Sequence, residues 1–195
     1  MNINRSTFIK LGGMVALGVA SIPALFTSCK ETHSHEHDAC CAVDYEQKLK
    51  ELGFVLPPAP KPLGVYQPTL VSGNLLYVSG QTPRTSDGTL ITGKVGADLN
   101  LEEGKLAARQ AGLTMISVIK NHFGDLNRIC RLVKTFGVVN SAWDFYDQPA
   151  VINGFSEVMA EIFGEEYGMG TRSAIGGVLP SNMAVEIEAI FELRC

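Results

Sequence analysis

Beyond residue 37 this 195-residue chain has one histidine, His122. A zinc or copper centre draws on several His or Cys side chains, and a lone imidazole has no partner to form one. His122 falls near the predicted C-terminus of a helix, where a histidine more often serves the helix dipole than catalysis. Acid–base work is left to Glu, Tyr or bound water. No glycine-rich loop stands between strand and helix at phosphate-binding spacing. No serine occupies a nucleophile elbow, and no His-x-x-x-His falls on a helix. Basic residues are not in excess either. Sixteen Lys and Arg face twenty Asp and Glu, a net charge of −4. A nucleic-acid binder needs a basic surface to displace counterions from phosphates, so nucleic acid is not an expected partner.

Long hydrophobic runs are also scarce. Residues 11–26 form one, short and rich in Gly and Ala, unlike a membrane span. It follows Arg5 and Lys10 and reads as an export signal covering residues 1–29. Asn4-Arg5-Ser6-Thr7-Phe8-Ile9-Lys10 resembles a twin-arginine signal with Ser6 in place of the second Arg. That route and general secretion both stay open. The run closes on Leu25-Phe26-Thr27-Ser28-Cys29, which resembles a bacterial lipobox with Phe26 where Leu is usual. Lipidation of Cys29 is the expectation. It would make the mature protein a periplasmic or cell-envelope lipoprotein held at the membrane. Cleavage by an ordinary signal peptidase and retention as a single anchor are the alternatives.

Residues 30–44 then read as a polar tether. They hold His33, His35 and His37 with Cys40 and Cys41, side chains that suit Zn or Cu. Their spacing matches no defined site and nothing apolar surrounds them, so a linker without metal is the expectation. Adjacent cysteines form only a strained bridge with each other, which leaves Cys130 and Cys195 as disulfide candidates in the domain.

The composition, 46% hydrophobic and 18% charged, suits one domain over residues 45–195. A short helix at 46–52 leads into a proline run, Val55 to Pro62, that must lie extended. Strands are expected at 65–71 and 75–80 around Ser72-Gly73-Asn74, a hairpin turn. Asn100-Leu101-Glu102-Glu103 reads as a capping box. The helix behind it carries an apolar stripe of Ala108, Gly112, Met115, Ile119 and Phe123, ending at Gly124. A strand follows at 130–139. Asp147 and Pro149 open a second helix, with Val151, Phe155, Val158, Met159 and Ile162 inward and Gly164 as its stop. The order is β-β-α-β-α-β-β, an α+β fold whose mixed sheet has both helices on one face. The bare face, carrying Ile190 beside glutamates, predicts oligomerisation.

The C-terminal stretch carries the candidate chemistry. Residues 183–192 alternate strictly, with Met183, Val185, Ile187, Ala189 and Phe191 on one face. Ala184, Glu186, Glu188, Ile190 and Glu192 fall on the other. An antiparallel return through Leu179-Pro180-Ser181-Asn182 would bring Arg172 near Glu186. A guanidinium fork clamps a small carboxylate, and the glutamate remains for proton transfer. A cross-strand ion pair is the structural alternative.

Several motifs, in order, resemble the RidA/YjgF family, also labelled endoribonuclease L-PSP, and its longer-chain subgroup. They are Lys61-Pro62-Leu63-Gly64-Val65-Tyr66, Val78-Ser79-Gly80-Gln81-Thr82-Pro83, Gly93-Lys94-Val95-Gly96, Val151-Ile152-Asn153, Thr171-Arg172-Ser173 and Leu179-Pro180 with Val185-Glu186-Ile187-Glu188-Ala189. The resemblance implies a chorismate-mutase-like fold and a homotrimer with ligand clefts between copies. It also implies cofactor-free hydrolysis of 2-imino or enamine acids to 2-keto acids and ammonia. On that footing Arg172 binds the substrate carboxylate and Glu186 handles the proton. Tyr66, Ser79, Gly80, Asn153 and Ala174 line the cleft, with Ala174 where many members have Cys. A non-catalytic trimer binding small carboxylates is the alternative, and an endoribonuclease a distant third. The run from Arg172 to Pro180 is one residue shorter than in short-chain members. A bend or bulge at Gly176-Gly177 would absorb the change and keep Arg172 facing the cleft; without one, Arg172 would point elsewhere and the activity would go.

Overall fold

The computed structural model describes residues 43–194. The signal, Cys29 and most of the tether lie outside these residues. Helix α1 (Tyr45–Glu51) is capped by the Asp44 side chain, which accepts from the Glu46 and Gln47 amides. Its Tyr45 is fully buried, edge-on to Phe163 at 4.8 Å, with the Arg194 guanidinium 4.6 Å above the ring. The proline-rich segment then runs extended to β1 (Thr69–Ser72). The strand expected from residue 65 begins four residues late. Pro68 has no N–H for a ladder, and Val65 is fully exposed. β1 pairs antiparallel with β2 (Leu75–Gln81), Ser72 opposite Leu75, across a tight turn in which Gly73 takes φ +61°. Glycine supplies that left-handed backbone without a steric cost.

Helix α2 (Leu101–Phe123) starts with the expected capping box, Asn100 and Glu103 each bonding the other's amide, and stops at Gly124 in the left-handed region. Strand β3 (Ile129–Asn140) follows, then α3 (Gln148–Phe163), a four-residue turn α4 (Glu165–Gly168) that sequence reasoning missed, β4 (Thr171–Gly177) and β5 (Val185–Leu193). A Cβ on Gly112 would stand 2.6 Å from Val158 Cγ1, and one on Gly154 would stand 2.0 Å from the Lys105 carbonyl oxygen. These two glycines let α2 and α3 cross closely. Lys105–Glu157 at 2.7 Å and Arg109–Glu161 at 2.6 Å bridge the outer seam of that crossing.

The sheet order is β1-β2-β5-β3-β4. This corrects the expected closing hairpin. β4 does not touch β5. It pairs parallel with β3, while β5 pairs antiparallel with the other side of β3. The β3-α3-β4 unit is a crossover, and crossovers yield parallel neighbours. The connection from Gly177 to Val185 therefore has to pass β3. It does so through a short 3₁₀ turn, Pro180–Asn182, in which Ser181 and Asn182 take φ +52° and +54°. Asn140 Nδ2 donates to Asn182 Oδ1 at 2.9 Å and pins the turn.

Alternation in β5 is as expected: Val185, Ile187, Ala189, Phe191 and Leu193 are buried under the helices. Ala184, expected on the outer face, is buried too. The outer sheet face carries Tyr77, Lys134 and Glu188 exposed, with Phe136, Val138 and Ile190 half-buried. Both long helices pack on the inner face. Cys130, buried near the start of β3, is disulfide-bonded.

Candidate functional site

The candidate residues fall into two groups on opposite faces of the sheet. Arg172 stands opposite Thr135 on β3, and Thr135 is buried on the helix side. Its guanidinium accordingly reaches α3, where Nη1 donates to Asn153 Oδ1 at 2.8 Å and to Ser156 Oγ at 3.0 Å. Ala174, two residues on, shares this face and is half-buried. Ser156 was missed in the sequence. It lies three residues after Asn153 on one helical face, a spacing that marks it once the Asn is singled out. Arg172 itself is exposed on an edge strand.

No bulge forms at Gly176-Gly177, and β4 pairs with β3 without interruption to its last residue. The glycines answer a different need. A Cβ on Gly176 would meet Ser141 Oγ at 2.7 Å and Gln148 Nε2 at 3.0 Å, so the segment before α3 crosses β4 there.

The second group gathers at the far side of β5. Glu186 pairs with Val138 and faces away from the helices. It is half-buried over Gly80, where a Cβ would come within 2.1 Å of Glu186 Oε1. The ladder between β2 and β5 is irregular between Val78 and Gln81, which is where Gly80 sits. Burial pushes the Glu186 carboxyl above the ordinary carboxylate range, and the neighbouring Glu188 charge adds to it. Ser79 donates from Oγ to the Gln67 carbonyl at 2.7 Å and from its amide to the Pro68 carbonyl. Its hydroxyl proton thus fixes the arm that bears Tyr66. Buried Gln81 donates in turn to the Ser79 carbonyl at 2.9 Å. Tyr66 and Gly80 line one small cleft with Lys61, Thr82 and Arg84. A broader cavity of about 340 Å³ opens beside it on the bare sheet face, lined by Tyr77, Ser79, Lys134, Phe136, Glu188 and Ile190.

The expected closeness of Arg172 and Glu186 is therefore not found within one copy. Their strands stand two spacings apart, roughly 10 Å, with β3 between them and the side chains on opposite faces. The alternative of a cross-strand ion pair between them fails for the same reason. Among the described residues, no cluster of three or more His, Cys, Asp or Glu is arranged to hold a metal ion.

A mixed five-stranded sheet with two long helices on one face defines an α+β fold of the chorismate-mutase-like class, here with an arginine on the edge strand and a glutamate packed over a glycine. Residues 46–192 match the family described as "YjgF/chorismate_mutase-like, putative endoribonuclease", and the chain belongs to that family. Protein TCP17 of Trypanosoma cruzi is 42% identical over 147 residues, 75% of this chain and 92% of that protein. The crystal structure of Atu1372 from Agrobacterium tumefaciens, described as of unknown function, is 39% identical with a TM-score of 0.68. The match spans 80% of this chain and 97% of that one. A "putative endoribonuclease" structure from Shewanella oneidensis MR-1 is 33% identical with a TM-score of 0.73, over 77% of this chain and all of that one.

Proposed function

We propose that the protein is a homotrimeric, cofactor-free hydrolase of 2-imino and enamine acids whose clefts form between copies. The observation that carries the reading is the division of the site. One face of the protomer offers a carboxylate-binding guanidinium held by Asn153 and Ser156, and the other offers a glutamate that holds its proton above the usual range. A second copy laid across the bare sheet face would bring unlike halves together. Bare apolar and aromatic surface there, including Tyr77, Leu70 and Ile175, gives such packing a hydrophobic driving force.

The chemistry asks little of the protein. The C2 carbon of an imine is already electrophilic. Water adds to it, nitrogen takes a proton, and the resulting carbinolamine expels ammonia to leave the 2-oxo acid. Arg172 holds the carboxylate, and Glu186 passes the proton between water and nitrogen. Orientation and a tuned acid supply the rate.

The same clefts would serve a non-catalytic carboxylate-binding trimer, because the Arg172 guanidinium held by Asn153 and Ser156 can clamp a carboxylate whether or not a proton is then transferred. The endoribonuclease wording attached to relatives fits this chain less well. Its net charge is −4, and its one histidine past residue 37 stacks edge-on against Phe123 at 4.5 Å. Export and lipidation at Cys29 remain part of the proposal. The disulfide at Cys130 supports an oxidising compartment, and mass spectrometry of the membrane fraction for a diacylglyceryl group at Cys29 tests the anchor.

The deciding experiment is an assay with freshly generated 2-imino acids on wild type and Arg172→Lys. The hydrolase reading expects wild-type turnover and its loss in the variant, since Lys keeps the charge without the planar fork. Carboxylate binding without turnover in wild type would establish the binding protein instead.

A further inference from the structure

The cleft beside Gly80 carries two cations that the proposed reaction does not use. Lys61 and Arg84 line it together with Pro60, Tyr66, Gly80 and Thr82. Neither takes part in an ion pair among the described residues. Arg84 Nη1 donates to the Gly88 carbonyl at 2.8 Å, which fixes the guanidinium against the turn at residues 84–90. Its Nε–H is shut off from solvent and has no acceptor. Asp87, the acid of that turn, is occupied elsewhere: its carboxylate accepts from Thr85 Oγ1 and the Thr89 amide, which hold it at about 2, well below the usual range. A buried guanidinium N–H without an acceptor is uncommon in folded proteins and calls for a ligand oxygen or an ordered water.

We propose that Lys61 and Arg84 form a subsite for a second anionic group, so that the cleft selects dicarboxylate imino acids over neutral ones. This rests on the reading above only for where the ligand lies, and it names the substrate class of that site. The physical logic is asymmetric. A ligand that ends in a carboxylate gives the Arg84 fork and the Lys61 ammonium their acceptors. A neutral ligand of equal length leaves the two cations without a counter-charge in the cleft, and sites built around charge-assisted contacts reject analogues lacking them.

The test uses stable 2-oxo acids on the full chain, so that binding is read without turnover. Calorimetry compares 2-oxoglutarate with 2-oxopentanoate, equal in length and differing by one carboxylate. Wild type is expected to prefer 2-oxoglutarate by roughly ten- to a hundredfold, the range for a charge-assisted contact. Arg84→Met and Lys61→Met are each expected to bring that ratio toward one. Arg84→Met also loses the bond to Gly88. Lys61 is exposed and donates no hydrogen bond to any described residue, so Lys61→Met keeps the test sound if the other variant misfolds. Equal affinities in wild type, with water alone meeting Arg84 Nε, would overturn the subsite, as would a preference that survives both substitutions. A clear dicarboxylate preference in a protein that hydrolyses no imine would overturn the hydrolase and leave the subsite standing. Turnover of neutral imino acids with no such preference would do the reverse.

Discussion

The carboxylate of Glu186 occupies the space that any side chain on residue 80 would need: a Cβ there would stand 2.1 Å from Oε1 and 2.8 Å from Cγ. Gly80→Ala must therefore turn Glu186 out of its place. Because the displaced atoms end a flexible side chain, the stability cost is only that of a forced rotamer, about 0.5–1.5 kcal/mol. Turnover should fall much further, by up to about a hundredfold if Glu186 is the proton relay. Thermal unfolding and imine turnover measured on one preparation separate the two effects.

Glu188 gives the pH dependence a handle. Burial, then the Glu188 charge, raises the Glu186 pKa above 4.5. With the carboxyl form as proton donor, activity should decline as pH rises through that raised pKa. Glu188→Gln removes the like charge, so the declining limb of the pH–rate profile should move to lower pH. A limb that stays in place would dissociate Glu186 from the titration.

The seam between the helices predicts a contrast in stability. Arg109 forms a forked pair with Glu161 and also lies over the Phe54 ring at 5.1 Å. Glu161→Gln loses only a half-exposed ion pair, roughly 0.2–1 kcal/mol. Arg109→Ala loses that pair and the ring contact, which adds about 0.5–1 kcal/mol. Arg109 holds the Glu161 pKa below its usual value, so this contribution is present above the unfolded pKa and lost as pH falls through the folded one. Denaturant titrations of Glu161→Gln should show a weaker acid-side loss of stability than wild type.

How much of this was legible in the sequence divides along physical lines. Local signals held. The Asn100 capping box, the Gly124 stop, the two helical stripes and the alternation from Val185 to Phe191 all rest on contacts within a few residues. The family motifs also led to the correct fold. Strand order did not follow from the local pattern. Arg172 and Glu186 are 14 residues apart across a proline turn, and nothing in that stretch says that β3 will insert between their strands. The bend or bulge offered for Gly176-Gly177 does not form either, and the pair's real role was hidden because the segment that crosses it, Ser141 to Gln148, lies far away in sequence. Arg84 carried no signal at all: only its Nε, buried and without an acceptor, singles it out.

The division of the site between two faces leads to the most direct measurement. Arg172→Lys and Glu186→Gln should each be nearly inactive alone. Unfolded together, refolded and mixed in equal amounts, they form trimers in which some clefts draw Arg172 from one copy and Glu186 from its neighbour. Random assembly restores both groups in about one cleft in four. The account predicts imine turnover in the mixture near a quarter of wild type. A mixture no more active than its two components would contradict a cleft shared between copies.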